Sequence, residues 1–108
     1  MATKKKKAKI VGVGDYVVIR SYDAGVYAGT VARISADGTR VDLTGARHCW
    51  SWSGGRLTVD DVALLGARAG DKWSGTVEAT TQADVCSIIL ASHEARTSIM
   101  SAPVAVRG

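Results

Sequence analysis

Tyr16-Val17-Val18-Ile19-Arg20-Ser21-Tyr22-Asp23-Ala24-Gly25-Val26-Tyr27-Ala28-Gly29-Thr30-Val31-Ala32-Arg33-Ile34 is the stretch on which the fold turns. Apart from Arg20 and Ser21, the run from Tyr16 to Tyr22 is β-branched or aromatic, a composition suited to a pleated, half-buried strand. Asp23-Ala24-Gly25 punctuates it as a turn, and Val26 to Ile34 resumes the pattern, which predicts an antiparallel hairpin. Asp37-Gly38 marks a second tight turn, because both central residues of a type I′ turn need positive φ, which Asp and Gly tolerate. Thr39 to Leu43 is expected to pair back across it. Thr44-Gly45 reads as another break, and Ala46 to Ser53 as a fourth strand closing at Gly54-Gly55.

Downstream the period changes. Thr58 offers a capping hydroxyl, Asp60 and Asp61 complement the positive end of a helix dipole, and Val59, Val62, Ala63 and Leu65 fall at helical spacing before Gly66. Gly70-Asp71 then opens a further strand pair, Trp73 to Thr80 and Val85 to Leu90, the second being the most apolar run in the chain. Ser92 is placed to cap a last short helix through Met100, which Pro103 ends. The predicted fold is α+β: a small β-rich domain with an antiparallel meander of about four strands, a further strand pair and two short helices.

Upstream lies a different kind of sequence. Residues 4 to 9 read Lys-Lys-Lys-Lys-Ala-Lys, and the formal charge of +4 belongs to them: without residues 1 to 9, nine basic and ten acidic residues remain. Residues 1–14 are expected to form a disordered Lys-rich tail and residues 15–108 a single ligand-binding domain, since like-charge blocks repel and stay solvated. Eight of the nine remaining basic residues are arginine, whose planar fork of donors suits phosphate better than the hydrated point charge of lysine. That body favours pockets for discrete anions over a nucleic-acid track.

A chain of 108 residues with 46% hydrophobic and 22% charged residues is long enough for one cored domain and too short for the large cofactor-dependent α/β enzymes. The longest uncharged stretch, Thr97 to Val106, is about half of what a membrane helix requires. The apolar segment after the lysines is too short for a secretory leader. The expectation is a soluble, intracellular protein whose Cys49 and Cys86 are reduced, buried thiols.

Catalytic chemistry is hard to find. Two His, two Cys and no Cys-x-x-Cys or His-Glu-x-x-His spacing give no metal signature, no cofactor motif and no nucleophile, base and orienter set. Gly12-x-Gly14 lacks the third glycine of a dinucleotide fingerprint, and Asp60-Asp61 is better explained as helix-start electrostatics than as a catalytic pair. No catalytic residue is expected, and the chain reads as a binder. Two segments carry that reading. In Ala46-Arg47-His48-Cys49-Trp50-Ser51-Trp52, alternation puts His48, Trp50 and Trp52 on one face of a strand and Arg47, Cys49 and Ser51 on the other. The aromatic face either stacks on a nucleobase, worth roughly 1–3 kcal/mol per base, or fills a core that has no Phe. In the hairpin, Arg20, Ser21, Tyr22, Ala24, Gly25, Val26 and Tyr27 combine an arginine, a hydroxyl, two rings and backbone open to close approach, which suits a phosphate with a base attached. Arg96 on the last helix is a further candidate, supplying charge from a partner subunit.

These two segments resemble a family of small phage proteins that includes the first type of Thoeris anti-defence protein. The matching residues are Arg20-Ser21-Tyr22-Asp23-Ala24-Gly25-Val26-Tyr27-Ala28-Gly29 and Ala46-Arg47-His48-Cys49-Trp50-Ser51-Trp52-Ser53-Gly54, and Val85 to Val104 is similar to that family's C-terminus. The resemblance implies a sponge that acts in the cytoplasm of an infected bacterium. It binds glycocyclic ADP-ribose, the signal of a TIR-domain protein, and leaves it uncleaved. It further implies homodimers or hexamers, the latter also holding cyclic oligonucleotides of the CBASS pathway. His48 stands where the family has a second arginine. Two other roles fit the chain: a phage structural or capsid-decoration protein, and a nucleic-acid binder acting through the lysine tail.

Overall fold

The computed structural model describes residues 10–22, 25–52 and 58–105. Its elements are β1 (Tyr16–Ser21), β2 (Gly25–Ile34), β3 (Val41–Ser51), α1 (Val59–Leu65), β4 (Lys72–Trp73), β5 (Val77–Gln82), β6 (Val85–Leu90) and α2 (His93–Ser101). The strands form one six-stranded sheet in the order β4-β3-β2-β1-β6, with β5 also paired to β3. All of these strand pairings are antiparallel. The chain is thus α+β as its sequence predicts.

Both faces of the sheet are buried. On one, Tyr16, Val18, Val26, Ala28 and Cys49 pack under α1 and α2 with Val59, Val62, Ala95, Ile99 and Trp73. On the other, Val17, Ile19, Val31, Val41, Leu43, Ala46 and Val85 form a second cluster. No helix covers this second face among the described residues, so its cover comes from the curl of the sheet. β5 lies on β3 and β6 on β1, and Val85 N donates to Thr39 O at 2.8 Å, drawing the two edges together. Four irregularities in register supply the bend, since an extra residue on one strand sharpens its twist. Burying side chains such as Val17, Val18 and Ile19 contributes about 1.5–3 kcal/mol each.

The meander differs from the sequence expectation at Thr44-Gly45. The two expected strands there are one strand, β3, of 11 residues. Thr30 pairs with Thr44 but Ala28 with Arg47, so β3 carries one extra residue, and Gly45 has φ 55°. Glycine here makes a bulge, not a turn. Opposite it, a Cβ on Gly29 would lie 3.1 Å from Ala46 Cα and Thr44 O, so glycine lets β2 and β3 approach. The Asp37-Gly38 turn also differs in type, because only Gly38 of the pair has positive φ (77°). Gly38 N donates to Ser35 O at 3.0 Å and Ser35 N to Arg40 O at 2.9 Å. Asp37 Oδ1 accepts from the Ser35 hydroxyl and from the N–H and hydroxyl of Thr39.

Both helix starts are as predicted. Thr58 accepts from Asp61 N at 3.3 Å and Ser92 from Ala95 N at 3.0 Å. The helices lock together through Ser92 N to Ala63 O, the Ser92 hydroxyl to Leu64 O and Ala67 N to Ser98 Oγ. Ahead of β1, Gly14 N donates to Val31 O at 2.8 Å and Val11 packs on the second cluster. The lysines themselves fall outside the described residues. No described helix is long and apolar enough to cross a membrane.

Two outcomes test this architecture. At Gly66, φ is 81° and a Cβ would collide with Ser98 Oγ and Ala95 Cα, so Gly66→Ala is expected to cost roughly 2 kcal/mol in denaturant unfolding; an unchanged midpoint would disprove the close helix contact. Hydrogen bonds from Ser35 and Thr39 hold the Asp37 carboxyl down at about 2, from 3.8. A depressed carboxyl stabilises the fold above its unfolded value and loses that contribution as pH falls through the folded one. The melting temperature should therefore drop between pH 4 and 2, less steeply in Asp37→Asn.

Candidate functional site

The hairpin and the end of β3 meet at one edge of the molecule. On the helix-side face, register places Arg20 opposite Val26 and Ser87, and Val26 opposite Cys49. This row floors a cleft of about 390 Å³, lined also by Gly25, His48, Trp50, Trp52 and Val59. An adjoining cleft of about 280 Å³ shares Arg20, Trp52 and Val59 and adds Thr58, Asp60, Ser87 and Ile89. Such volumes suit a nucleotide-sized group. Arg20 is exposed, and among the described residues its guanidinium has neither hydrogen bond nor ion pair. Two clefts thus converge on a free cation beside an indole.

Six of the twelve residues singled out in the sequence line this site: Arg20, Gly25, Val26, His48, Trp50 and Trp52. The others stand elsewhere. Ser21 is buried, and its hydroxyl donates to Ala83 O at 2.7 Å, fastening β1 to the β5–β6 turn. Tyr22 is 82% exposed and lines neither cleft. Ala24 lies outside the described residues. Tyr27 stacks on His48 with centroids 4.5 Å apart and planes 11° apart. Trp50, 53% exposed, tilts against His48 at 6.2 Å. Trp52 departs from the predicted aromatic face and packs on the helix-side core. The cause is the irregularity between Cys49 and Ser51, where Trp50 is the extra residue against β4.

Arg47 is the largest correction. Expected at the ligand, it is 3% exposed and buried under α2. Nε donates to Ser74 O at 2.8 Å, and Nη1 to Ile99 O at 2.7 Å and Ala102 O at 2.6 Å. Its guanidinium lies 5.9 Å from the Trp73 ring centroid. α2 has no basic residue in its last turn, so a cation from β3 satisfies its terminal carbonyls and its negative pole. Nearby, burial pushes the Tyr16 hydroxyl up to about 12, opposed by the charges of Arg47 and Arg96. Arg96 lies 5.6 Å over the Tyr16 ring. Tyr16 stands four residues from Arg20, about 13 Å along a strand, so Arg96 does not share the cleft.

Of the thiols, Cys49 is buried and Cys86 exposed, against the expectation for the latter. Cys86 is the extra residue on β6 where register shifts beside Arg20 and Ser21, which turns it outward. No cluster of three or more His, Cys, Asp or Glu able to hold a metal occurs among the described residues. Thr58, Val59, Asp60, Ser87 and Ile89 complete the site and carry no signal in the sequence, because they reach it only through packing of α1 and pairing of β6.

A family model described as a domain of unknown function, DUF6948, matches residues 14–99. The chain belongs to that family. No curated protein and no solved structure matches it. The matched span holds every described element from β1 to β6 and α2 as far as Ile99, so the DUF6948 unit includes both clefts and Arg47 with its carbonyl partner on Ile99.

In this DUF6948 domain Arg47→Ala is expected to lower stability by about 3 kcal/mol, because buried carbonyls lose their donors. Arg20→Ala should leave unfolding unchanged. Equal effects of the two substitutions on the urea midpoint would overturn the division between a structural and a free arginine.

Proposed function

We propose that the domain binds and holds a small phosphorylated ligand that carries a base, without cleaving it. The single observation behind this reading is the unpartnered Arg20 guanidinium in a cleft it shares with the Trp52 indole. Arginine matches a phosphate with two parallel donors, and an indole face stacks on a base. His48 and Trp50 add ring surface at the cleft mouth. Among the described lining residues no nucleophile is held by a base: Thr58 Oγ1 is engaged by Asp61 N and the Cys49 thiol points to Ser51 O.

The resemblance of the Arg20 to Gly29 and Ala46 to Gly54 segments supports a ligand of the cyclic ADP-ribose type. On this reading the protein is a phage anti-defence sponge, a homodimer or hexamer in the host cytoplasm. It sequesters glycocyclic ADP-ribose, and cyclic oligonucleotides in the larger assembly, and so blocks Thoeris and CBASS immunity. A stoichiometric binder must hold its ligand tightly; a Kd of about 1 nM corresponds to roughly 12 kcal/mol.

The test is to mix purified protein with glycocyclic ADP-ribose, follow binding by calorimetry, denature by heat and chromatograph the released nucleotide. Binding at micromolar Kd or tighter with intact nucleotide recovered is expected, and Arg20→Ala should weaken it more than tenfold at unchanged melting temperature. Absence of binding to this ligand and to cyclic di- and trinucleotides would sink the reading, and co-purification with virions would then favour a structural role.

A further inference from the structure

The cleft carries two opposite charges that do not meet. Arg20 and Asp60 both line its smaller arm, yet they form no ion pair with each other and neither has another polar side-chain partner among the described residues. Trp52, Val59 and Ile89 supply the apolar surface of the same arm. A free arginine and a free carboxylate in one small cleft would ordinarily be drawn together, since at about 4 Å their attraction is worth several kcal/mol near a protein surface. Here Arg20 is fixed at the end of β1 and Asp60 in the first turn of α1, so the elements hold them apart.

We propose that Asp60 is a specificity-determining residue that accepts hydrogen bonds from a ribose diol while Arg20 holds the phosphate of the same nucleotide. This deepens the nucleotide-binding reading of the cleft and rests on it. The acceptor is the Asp60 side chain and not the backbone of α1. A carboxylate has two oxygens and, when ionised, only accepts. A second phosphate placed there is repelled, whereas the vicinal hydroxyls of a ribose offer two donors at a matching separation, the use made of an acidic residue in dinucleotide-binding folds. Asp60 is exposed, so an analogue that lacks the hydroxyl forfeits its hydrogen bonds to the carboxylate without leaving a desolvated charge, a smaller discrimination than that of a buried site. The cleft therefore favours a ligand in which a phosphate adjoins a ribose with both hydroxyls free, and disfavours a ribose whose 2′ position is phosphorylated or reduced. Cyclic oligonucleotides, which have no free vicinal diol, fall outside this selection and would be held elsewhere in the larger assembly.

The experiment is an NMR titration of the full chain with AMP and with 2′-deoxy-AMP, read at the Trp52 indole N–H, on wild type, Asp60→Ala and Asp60→Asn. The wild type is expected to bind AMP about tenfold more tightly than 2′-deoxy-AMP. Asp60→Ala should bring the two within twofold by weakening AMP alone, and Asp60→Asn, which keeps one acceptor, should fall between. Equal binding of the two nucleotides by wild type, or an equal loss of both in Asp60→Ala, overturns the assignment of Asp60 and leaves the binding role of the cleft standing. No response to either nucleotide, with none to glycocyclic ADP-ribose, overturns both.

Discussion

A buried guanidinium is expensive unless its donors are used, and Arg47 uses Nε and Nη1 on three carbonyls, while Nη2 is buried without a hydrogen-bond partner. Its partners come from three parts of the chain: Ser74 after β4, Ile99 in α2, and Ala102 beyond it. Because Arg47 itself sits on β3, one side chain ties the middle of the sheet to the last helix and to the segment that follows. That segment then runs beside β4, with Ala105 N donating to Trp73 O at 2.9 Å, and closes over the ring on which Arg47 rests. The helix-side core depends on this clamp, since α2 contributes Ala95 and Ile99 to it and holds α1 in turn. With α1 in place, its first turn stands over the end of β1, and the cleft exists.

Much of this was legible in the residues. Turn chemistry at Asp37-Gly38 separates β2 from β3, and the hydroxyls of Thr58 and Ser92 mark both helices, because caps and tight turns are local and need no knowledge of the rest of the chain. Extra residues in a strand are harder to read. Thr44-Gly45 has the composition of a break, and only the partner strand distinguishes a break from a bulge. Trp73 to Thr80 divides into β4 and β5 for a similar reason: they pair with different halves of β3, a fact of tertiary geometry.

The site divides along the same line. Arg20, Gly25 and Val26 were visible because a hairpin end brings its own residues together. Arg47 is buried against expectation, and the sequence holds a clue to it: Arg47 shares a strand face with Cys49, a residue type most often buried, and strict alternation sends both inward. An arginine attracts attention as an anion ligand, but the carbonyl oxygens at a helix end carry partial negative charge too, and here those of Ile99 and Ala102 hold it. Trp52 changed faces because alternation fails where Trp50 is inserted.

The bulge at Gly45 has a further consequence. Upstream of it, Val41 and Leu43 face the second cluster; downstream, Ala46 does so, and Arg47 and Cys49 lie under the helices. A strand without the extra residue would present Arg47 to the wrong interior. The phase of β3 from Ala46 to Cys49, clamp included, is thus set by the parity of a single strand. A chain that lost one residue there would turn its fastening away from the last helix in a single step, so the length of the strand at this point matters as much as the side chains on it.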